Sequence, residues 1–553
     1  MTDRLDIALA QFNPVVGDIA GNLRRIRDSR AAAAKLGADL VVYGELAICG
    51  YPPEDLVLKP KLQQACVDAA MRLAAETGDG GPALLLGTPW LDAGRLYNAV
   101  LLLDQGKIGA VRLKHELPNY GVFDEKRVFV PGPLPGPVAF RGVRLGVMIC
   151  EDMWFPEVTE CLQETGAEIL VVPNGSPYEL DKPDERLNLA VARVTESGLP
   201  LIYLNLVGGQ DELVFDGGSF VLNQDCSLAV QLPEYRETLV LTRWQRGAAG
   251  WHCEPGERVA PTTRLEGIWL AMMTGLRDYV GKNRFPGVVL GLSGGVDSAL
   301  TAAVAADALG PDRVWCVMLP YRYTSTESLE DAAECARLLG IRLDTLPVGP
   351  AVDAFYGSLA ETFNGRAPDT TEENIQSRVR GVTLMALSNK FGHMVLTTGN
   401  KSEISVGYAT LYGDMCGGFN VLKDVYKTTV FELARWRNQH HPDGALGPAG
   451  RVMPERVITK PPSAELRPGQ KDEDSLPPYA QLDQILECLI EHELGVDEIT
   501  GKGHPRELVQ RIENMLYIAE YKRRQAAPGV KITRKNFGRD RRYPITNGFR
   551  DRP

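Results

Sequence analysis

The sequence has no long apolar run, no Cys-x-x-Cys pair and no histidine pair at a metal-binding spacing. No stretch approaches the ~20 apolar residues that a membrane-spanning helix needs, so we expect no membrane partner. The ten cysteines are scattered, which indicates neither a zinc site nor a disulfide framework. The segment Met1–Asp6 enters a strand pattern without a signal-peptide core. The sequence therefore predicts a cytoplasmic protein.

Acidic residues outnumber basic ones, except near the end of the chain. The formal net charge is −11, whereas residues 521–553 contain eleven Lys and Arg against Asp540 and Asp551. The remainder carries roughly −20, which argues against a nucleic-acid-binding surface and favours small-molecule partners. The basic segment is either a solvated tail or a strap in which Lys522 and Arg523 close over phosphates.

A length of 553 residues is too great for one hydrophobic core. In the first block, short apolar strands alternate with helical stretches and end in hairpins, which predicts a layered α/β domain. In the second block, strands separated by helices predict a doubly wound parallel sheet with ligands at the carboxyl ends of its strands. We place the domains at residues 1–252 and 265–553, joined by a Gly- and Pro-rich linker at 253–264.

The clearest motif follows the apolar run Val288–Leu292 and precedes an alanine-rich helix, and it reads Ser293-Gly294-Gly295-Val296-Asp297-Ser298. Adjacent glycines let the backbone approach an anion, and the two serines and the first helical amides supply donors. The loop differs from a Walker A motif, which ends Gly-Lys-Ser/Thr and places a lysine on the phosphates. Here Asp297 stands at a position where a Mg²⁺ ligand would be useful. It resembles the pyrophosphate-binding loop of N-type ATP pyrophosphatases, which cleave ATP between the α- and β-phosphates and adenylate a substrate.

Three side chains of types used in catalysis each follow a predicted strand in the first block: Glu45, Lys114 and Cys150. If these strand ends meet at one edge of a sheet, Glu45 can take the thiol proton and Lys114 can stabilise an oxyanion. We also expect helix amides at the strand-to-helix corner to lower the pKa of the Cys150 thiol. Taken singly, the Glu and Lys are ordinary solvated residues and the Cys a buried filler, so the prediction depends on the trio.

The trio resembles the Glu-Lys-Cys triad of the nitrilase, or carbon-nitrogen hydrolase, superfamily. This resemblance implies a four-layer αββα sandwich over about residues 1–250. It also implies that Glu125 is the second glutamate that orients the site, the alternative being a surface loop carboxylate. Tyr120, Ser176 and Arg186 resemble the positions that hold glutamine.

A nitrilase-like domain followed by an ATP pyrophosphatase-like domain is the arrangement of the glutamine-dependent NAD⁺ synthetase family. This resemblance covers nearly the whole chain and implies amidation of deamido-NAD⁺ through an adenylate, with ATP as co-substrate and ammonia from glutamine. It implies ATP or pyrophosphate binding by Ser293, Gly294, Gly295, Val296, Asp297, Ser298, Arg322, Thr398, Lys427, Lys460 and Ser463. It implies dinucleotide binding by Asn374, Arg378, Glu403 and Lys522, and Mg²⁺ binding by Asp297 and Glu403.

The same resemblance sets expectations for larger features. Free ammonia in neutral water mostly becomes ammonium, which is no nucleophile, so we expect a protected path between the two sites. The loop-like stretches 439–450 and 460–478 are long enough to act as mobile lids. We expect a homo-oligomer.

Two alternatives remain open. The acceptor can differ, as in another adenylating amidotransferase or a tRNA sulfur-transferase built on the same loop. A tRNA enzyme should show a basic face and catalytic cysteines, whereas Cys316, Cys335 and Cys416 are predicted on strands or helices. Alternatively, the first domain is a glutamine-sensing or assembly module with a spent site, against which the intact triad argues.

Overall fold

The computed structural model describes residues 3–551 and divides the chain into two compact units, Met1–Thr262 and Thr263–Pro553. Among the described residues, no helix is long and apolar enough to cross a membrane.

The first unit contains two large sheets and a separate hairpin. Its strands are β1 (Arg4–Gln11), β2 (Leu40–Tyr43), β3 (Ala83–Asp92), β4 (Arg95–Asp104), β5 (Lys107–Leu113), β6 (Val138–Phe140), β7 (Val143–Val147), β8 (Ile169–Asn174), β9 (Leu201–Asn205), β10 (Val207–Gln210), β11 (Leu213–Asp216), β12 (Phe220–Leu222), β13 (Leu228–Gln231), β14 (Thr238–Gly247) and β15 (Gly250–Cys253). The first sheet has the order β15-β14-β1-β2-β3-β4-β5, the second has the order β13-β12-β9-β8-β7-β6, and β10 pairs with β11.

Four helices cover the outer faces of these sheets: α1 (Ile19–Lys35), α2 (Pro60–Glu76), α3 (Pro156–Glu164) and α4 (Lys182–Ser197). Strand β1 shows how the layers form, because its alternate side chains enter different cores. Ile7 and Leu9 pack between the two sheets, whereas Ala8 and Ala10 pack toward α1 and α2. A third core lies between the second sheet and α3 and α4. The predicted αββα sandwich is confirmed.

The second unit is built around one five-stranded sheet. Its elements are α5 (Arg264–Lys282), β16 (Val288–Gly291), α6 (Val296–Leu309), β17 (Val314–Met318), α7 (Thr326–Leu339), β18 (Arg342–Thr345), α8 (Gly349–Phe363), α9 (Thr370–Phe391), β19 (Met394–Thr397), α10 (Lys401–Val406), β20 (Phe419–Asn420), α11 (Lys427–Gln439), α12 (Glu455–Thr459), α13 (Tyr479–Ile490), α14 (Val496–Gly501), α15 (Arg506–Ile518) and α16 (Glu520–Arg523). The strand order is β18-β17-β16-β19-β20, and every pair is parallel. The predicted parallel sheet is confirmed.

The strand order reverses between β16 and β19, because the chain runs outward from β16 to β18 and then returns to β19. A ligand crevice is expected at such a switch point, outside the carboxyl ends of the strands. Ser293 follows β16 and Thr398 follows β19, so both lie at this edge.

Two sequence-based expectations need correction in this unit. Cys416 lies in the loop between α10 and β20, not on a strand or helix. The alternative of a solvated basic tail is also wrong for residues 523–541. Arg523 is buried and donates to the Ser405 carbonyl at 2.6 Å, and buried Lys531 pairs with Asp540 at 2.7 Å. Carbonyl and carboxylate partners allow these basic side chains to be buried.

Candidate functional site

A buried lysine links two glutamates in the first unit. Lys114 Nζ lies 2.6 Å from Glu45 Oε1 and 2.8 Å from Glu125 Oε1. Glu45 lies two residues beyond β2, and Lys114 directly follows β5 in the same sheet. Burial alone would lower the pKa of Lys114, but the charges of Glu125 and Glu45 raise it well above its ordinary value. Lys114 is therefore a permanent cation between two carboxylates.

Cys150 lies three residues beyond β7 with a φ of 49°, a backbone conformation that non-glycine residues rarely adopt. Burial, followed by the charge of Glu45, raises the pKa of its thiol well above the ordinary value, while Lys114 lowers it. The expected lowering by helix amides is thus wrong, because burial outweighs the short 3₁₀ turn Cys150–Trp154. A neutral thiol needs a base when it attacks, and Glu45 is the carboxylate that acts on it most strongly.

Glu125 is buried, so the alternative of a surface loop carboxylate is wrong. Its Oε1 accepts hydrogen bonds from Lys114 and from the Tyr51 hydroxyl, the latter at 2.8 Å. Burial, partly offset by Lys114, raises the pKa of Glu125 to about 7. Near neutral pH Glu125 is therefore partly protonated.

The predicted glutamine-binding residues have different environments. The Tyr120 hydroxyl donates to both carboxylate oxygens of Glu151, the residue after Cys150, at 3.1 Å, and the Tyr120 side chain is half exposed. Ser176 is buried, and its hydroxyl accepts from Arg186 Nε at 3.0 Å. Arg186 is buried and forms a bidentate pair with Asp216 at 2.7 and 2.8 Å. Its charge is neutralised within the protein, which suits a residue that positions Ser176.

In the second unit, the loop after β16 is shaped by Gly294. Its φ is 82°, and a Cβ there would lie 2.3 Å from the Ser328 carbonyl oxygen, so only glycine fits. Ser293 N donates to Ser298 Oγ and Gly295 N donates to Ser293 Oγ, both at 3.2 Å. Val296 then begins α6. The result is a hydroxyl-lined loop at a helix N-terminus, which suits a phosphate group.

Two carboxylates share one cation beside this loop. Lys427 Nζ lies 2.5 Å from Asp297 Oδ2 and 3.1 Å from Glu403 Oε1. Burial alone would lower the pKa of Lys427, but Asp297 and Glu403 raise it, whereas burial raises the pKa of Glu403 to about 7. Fully buried Asn400 donates to Asp297 Oδ1 at 2.9 Å and accepts from Glu403 N at 3.0 Å. These contacts hold the two carboxylates toward the same point.

The pair Asp297 and Glu403 fits part of a Mg²⁺ shell. Both are hard oxygen donors, and both already stabilise one positive charge. Within residues 3–551, no group of three or more His, Cys, Asp or Glu is arranged to hold a metal ion by itself. Mg²⁺ is usually held by one or two carboxylates together with substrate phosphates, which matches this donor set.

The other predicted ATP contacts are brought together only in part. Lys460 Nζ donates to Ser328 Oγ at 3.1 Å, and Ser328 is the residue against which Gly294 packs. Arg322 is exposed and pairs with Asp353 at 2.6 Å, and the Ser463 hydroxyl donates to the Gln470 carbonyl at 2.6 Å. The structure thus places Lys460 beside the loop after β16, while Arg322 and Ser463 contact other protein groups.

The predicted dinucleotide contacts surround one loop, residues 407–411, which follows the helix carrying Glu403. Asn374 Oδ1 accepts from the Thr410 hydroxyl at 2.8 Å, and Arg378 Nε donates to the Leu411 carbonyl at 3.3 Å. Lys522 Nζ donates to the carbonyls of residues 407 and 409 at 2.8 and 2.7 Å. Asn374 and Arg378 lie on one face of α9, as predicted.

Known proteins match both units in the same order. The carbon-nitrogen hydrolase family model matches residues 6–250, and the NAD synthase family model matches residues 268–526. The glutamine-dependent NAD(+) synthetase of Rhodobacter capsulatus is 54% identical over 551 residues, covering 100% of both chains. The chain belongs to the glutamine-dependent NAD(+) synthetase family. The family member from Acinetobacter baylyi is 45% identical and covers 98% of each chain.

Solved structures of NAD(+) synthetases extend the match to the fold. The Acinetobacter baumannii enzyme in complex with ADP has a TM-score of 0.79 at 42% identity, with 100% of each chain covered. The Cytophaga hutchinsonii enzyme, at 23% identity, has a TM-score of 0.81 and covers 99% of this chain and 98% of its own. The latter likeness concerns the fold alone.

Sequence reasoning about this NAD(+) synthetase family member missed several residues at the first site. Glu151 adjoins Cys150 in the chain, and that adjacency was the available signal. Lys182 lies 4.2 Å above the Trp154 ring, and its charge acts on Glu151. Tyr51 and Asn98 touch the glutamate pair from a loop and from β4, and no motif pointed to them.

Proposed function

We propose that this protein makes NAD⁺ from deamido-NAD⁺ by ATP-dependent amidation, using ammonia released from glutamine. One observation carries the proposal. A single chain of this family contains both a Glu45–Lys114–Glu125 cluster with a neighbouring thiol and a phosphate-suited loop beside two carboxylates.

The first unit hydrolyses the glutamine amide. Glu45 takes the proton of the Cys150 thiol as the sulfur attacks the amide carbon, and Lys114 stabilises the resulting oxyanion. The carbon–nitrogen bond then breaks and ammonia leaves with a proton returned by Glu45. Water hydrolyses the thioester, which releases glutamate and restores the thiol.

Glutamine binding combines predicted and newly identified residues. Opposite charges at Glu151 and Lys182 suit the ammonium and carboxylate groups of an amino acid. The half-exposed Tyr120 orients Glu151 through its hydroxyl, and Ser176 lies deeper. Arg186 acts by holding Ser176 rather than by touching glutamine.

The second unit activates the acceptor. The nicotinate carboxylate of deamido-NAD⁺ attacks the α-phosphorus of ATP, a new P–O bond forms, and the bond to pyrophosphate breaks. Ser293 to Ser298 hold the leaving pyrophosphate, and Lys427 and Lys460 neutralise its charge. Ammonia then attacks the acyl carbon, and AMP leaves. Positioning supplies most of the rate enhancement, because no protein nucleophile is required.

Further contacts complete the second site. Arg322, Thr398 and Ser463 contact ATP, and Asn374, Arg378, Glu403 and Lys522 hold the dinucleotide around residues 407–411. Asp297 and Glu403 would hold Mg²⁺, which supplies electrostatic stabilisation of the phosphate oxygens when bound. The protected ammonia path, the homo-oligomer and the cytoplasmic location remain predictions from the sequence.

A pyrophosphate-release assay tests the acceptor. With Mg-ATP and ammonium salt, deamido-NAD⁺ should support release, whereas nicotinate mononucleotide and other carboxylates of similar charge should not. Release with a different acceptor in place of deamido-NAD⁺ would favour another adenylating amidotransferase.

A further inference from the structure

One buried asparagine contacts Glu45, Glu125 and Lys114 of the first site. Asn98 lies in the middle of β4 and is 1% exposed. Its Nδ2 donates to Glu45 Oε1 at 2.7 Å and approaches Glu125 Oε2 at 3.4 Å. Its backbone carbonyl accepts from Lys114 N at 2.8 Å. Asn98 thus fixes the lysine through its main chain and the glutamates through its side chain.

The donors are distributed unequally between the two carboxylates. Glu45 Oε1 accepts hydrogen bonds from Asn98 Nδ2 at 2.7 Å and from Lys114 Nζ at 2.6 Å. Glu45 Oε2 accepts a hydrogen bond from Gly175 N at 3.0 Å. Glu125 Oε1 accepts the two short hydrogen bonds, both at 2.8 Å, from Tyr51 and Lys114. Among the described residues, Glu125 Oε2 accepts only the 3.4 Å contact from Asn98 Nδ2. Donors stabilise a carboxylate in its charged form, so this pattern favours negative charge on Glu45 and the proton on Glu125.

We propose that Asn98 is a positioning residue for glutamine hydrolysis, whose carboxamide directs the negative charge of the glutamate pair onto Glu45. The inference rests on the proposed role of Glu45 as the base. Burial, which raises the pKa of Glu125 to about 7, agrees with a proton on that partner.

A purely space-filling role does not explain this side chain. Asn98 Oδ1 is buried and accepts no hydrogen bond from the described residues. A buried oxygen without a partner costs stability, and an apolar residue of similar shape would avoid that cost. The hydrogen bonds that this side chain does form lie at the other end of the carboxamide, which faces Glu45.

Two nearly isosteric variants separate charge placement from packing, because they change the site in opposite directions with pH. Asn98→Leu removes a donor that stabilises the charged form of the base, so the acidic limb of the glutaminase pH–rate profile should move up by about one pH unit. Asn98→Asp can still donate while protonated but repels the glutamates once ionised. Its activity should therefore fall as pH rises. Lys114, Cys150, Tyr51 and Glu151 are the other titratable groups that face the pair.

The measurement is kcat/KM for glutamine hydrolysis by the full-length protein from about pH 5.5 to 9. Asn223→Leu is the control, since Asn223 is also buried but bonds to the Cys253 backbone away from the site. It should leave the profile shape unchanged. Ammonium-supported NAD⁺ synthesis, measured in parallel, should stay within about twofold of wild type for all three variants.

Profiles of Asn98→Leu and Asn98→Asp that parallel the wild-type profile would overturn the inference. If Asn98→Leu fails to fold, the smaller change Asn98→Asp still tests the direction of the shift. The variant Cys150→Ala distinguishes a failure of the proposed function from a failure of the role of Asn98. Glutamine use retained in Cys150→Ala contradicts the proposed function, whereas its loss together with parallel Asn98 profiles contradicts only the role of Asn98.

Discussion

At the scale of single residues, the first site depends on the balance of charge around Lys114. Burying ions is costly unless they are paired and hydrogen-bonded, and here one ammonium meets two carboxylates. A proton on Glu125, whose pKa burial raises to about 7, limits the excess of buried negative charge near neutral pH. In the proposed reaction this leaves a carboxylate base and a cation for the oxyanion.

The titration of Glu125 gives a prediction about stability. Its pKa is raised from an ordinary 4.5 to about 7 by burial, so the folded protein keeps a proton that the unfolded chain loses. Its contribution to the free energy of unfolding therefore falls as pH rises between these values and is constant above them. Relative to Glu125→Gln, wild type should lose at most ~3 kcal/mol across this window. Thermal melting of both proteins at several pH values measures the difference.

The control is Glu164→Gln, which removes an exposed glutamate at the end of α3. Its stability relative to wild type should not change across the same window. If the difference in stability between wild type and Glu125→Gln also stays constant with pH, the raised pKa of Glu125 is contradicted.

The carboxylates of the second site give a prediction about activity. Asp297→Asn and Glu403→Gln keep shape but remove the charge that would face Mg²⁺ and that now pairs with Lys427. NAD⁺ synthesis should fall by about a hundredfold or more with either ammonia or glutamine as nitrogen donor. Steady-state rates over a range of Mg²⁺ concentrations test this. Asp344→Asn, on β18, removes a carboxylate bonded to Trp315 and should remain near wild type; near-wild-type rates in all three variants would reject the assignment.

Sequence reasoning succeeded for residues that directly follow strands and failed for residues whose role depends on loop packing. Polar side chains that follow strands are candidates for a site, so Glu45, Lys114 and the loop after β16 were predictable, although Cys150 follows a strand of the other sheet. The burial of Glu125 depends on how residues 115–128 fold back over the site. Asn98 was not predictable because an asparagine inside an apolar strand carries no motif.

At the scale of elements, the segment 460–478 is attached to two helices. The Glu465 carboxylate accepts hydrogen bonds from the hydroxyls of Ser325 and Ser328, at 2.7 and 2.8 Å, at the start of α7. The carbonyl of Leu466 accepts from Gln376 on α9 at 2.9 Å. If this segment is a lid, its amides should exchange hydrogen more slowly when Mg-ATP and deamido-NAD⁺ are both bound. Unchanged exchange across the segment would remove the lid role.

The variant Glu465→Ala sharpens this experiment. Loss of the carboxylate frees the segment from α7, so exchange without ligands should increase across residues 460–478 and not elsewhere. Glu473→Ala removes an exposed glutamate from the same segment and should leave exchange unchanged.

The elements themselves differed in how well their pattern predicted them. The apolar run Leu40–Tyr43 predicts strand β2 with the bounds that the structure gives it, because strands covered on both faces form continuous apolar runs. The structure of the segment after residue 523 was not predicted from the sequence. Buried ion pairs such as Lys531–Asp540 hold it in place, and no hydrophobic periodicity indicates them. Its charge indicated a solvated tail or a strap over phosphates, and the described contacts exclude the solvated tail for residues 523–541.

At the scale of the whole molecule, the two proposed reactions belong to different compact units. The glutamate pair, Lys114 and Cys150 lie in unit Met1–Thr262, and the loop after β16 with Asp297 and Lys427 lies in unit Thr263–Pro553. Each unit has its own hydrophobic cores. A substitution that disables one site should therefore leave the other intact.

This separation makes Cys150→Ala the most informative variant. The second reaction needs only ammonia, Mg-ATP and deamido-NAD⁺, so synthesis from added ammonium salt should stay near wild type. Glutamine-supported synthesis should fall by about three orders of magnitude or more, because the nucleophile is lost. Cys49→Ala, which also removes a fully buried thiol of the first unit, should retain both activities and controls for packing. Equal loss with both nitrogen donors would mark Cys150 as structural, and retained glutamine use would reject the thioester mechanism.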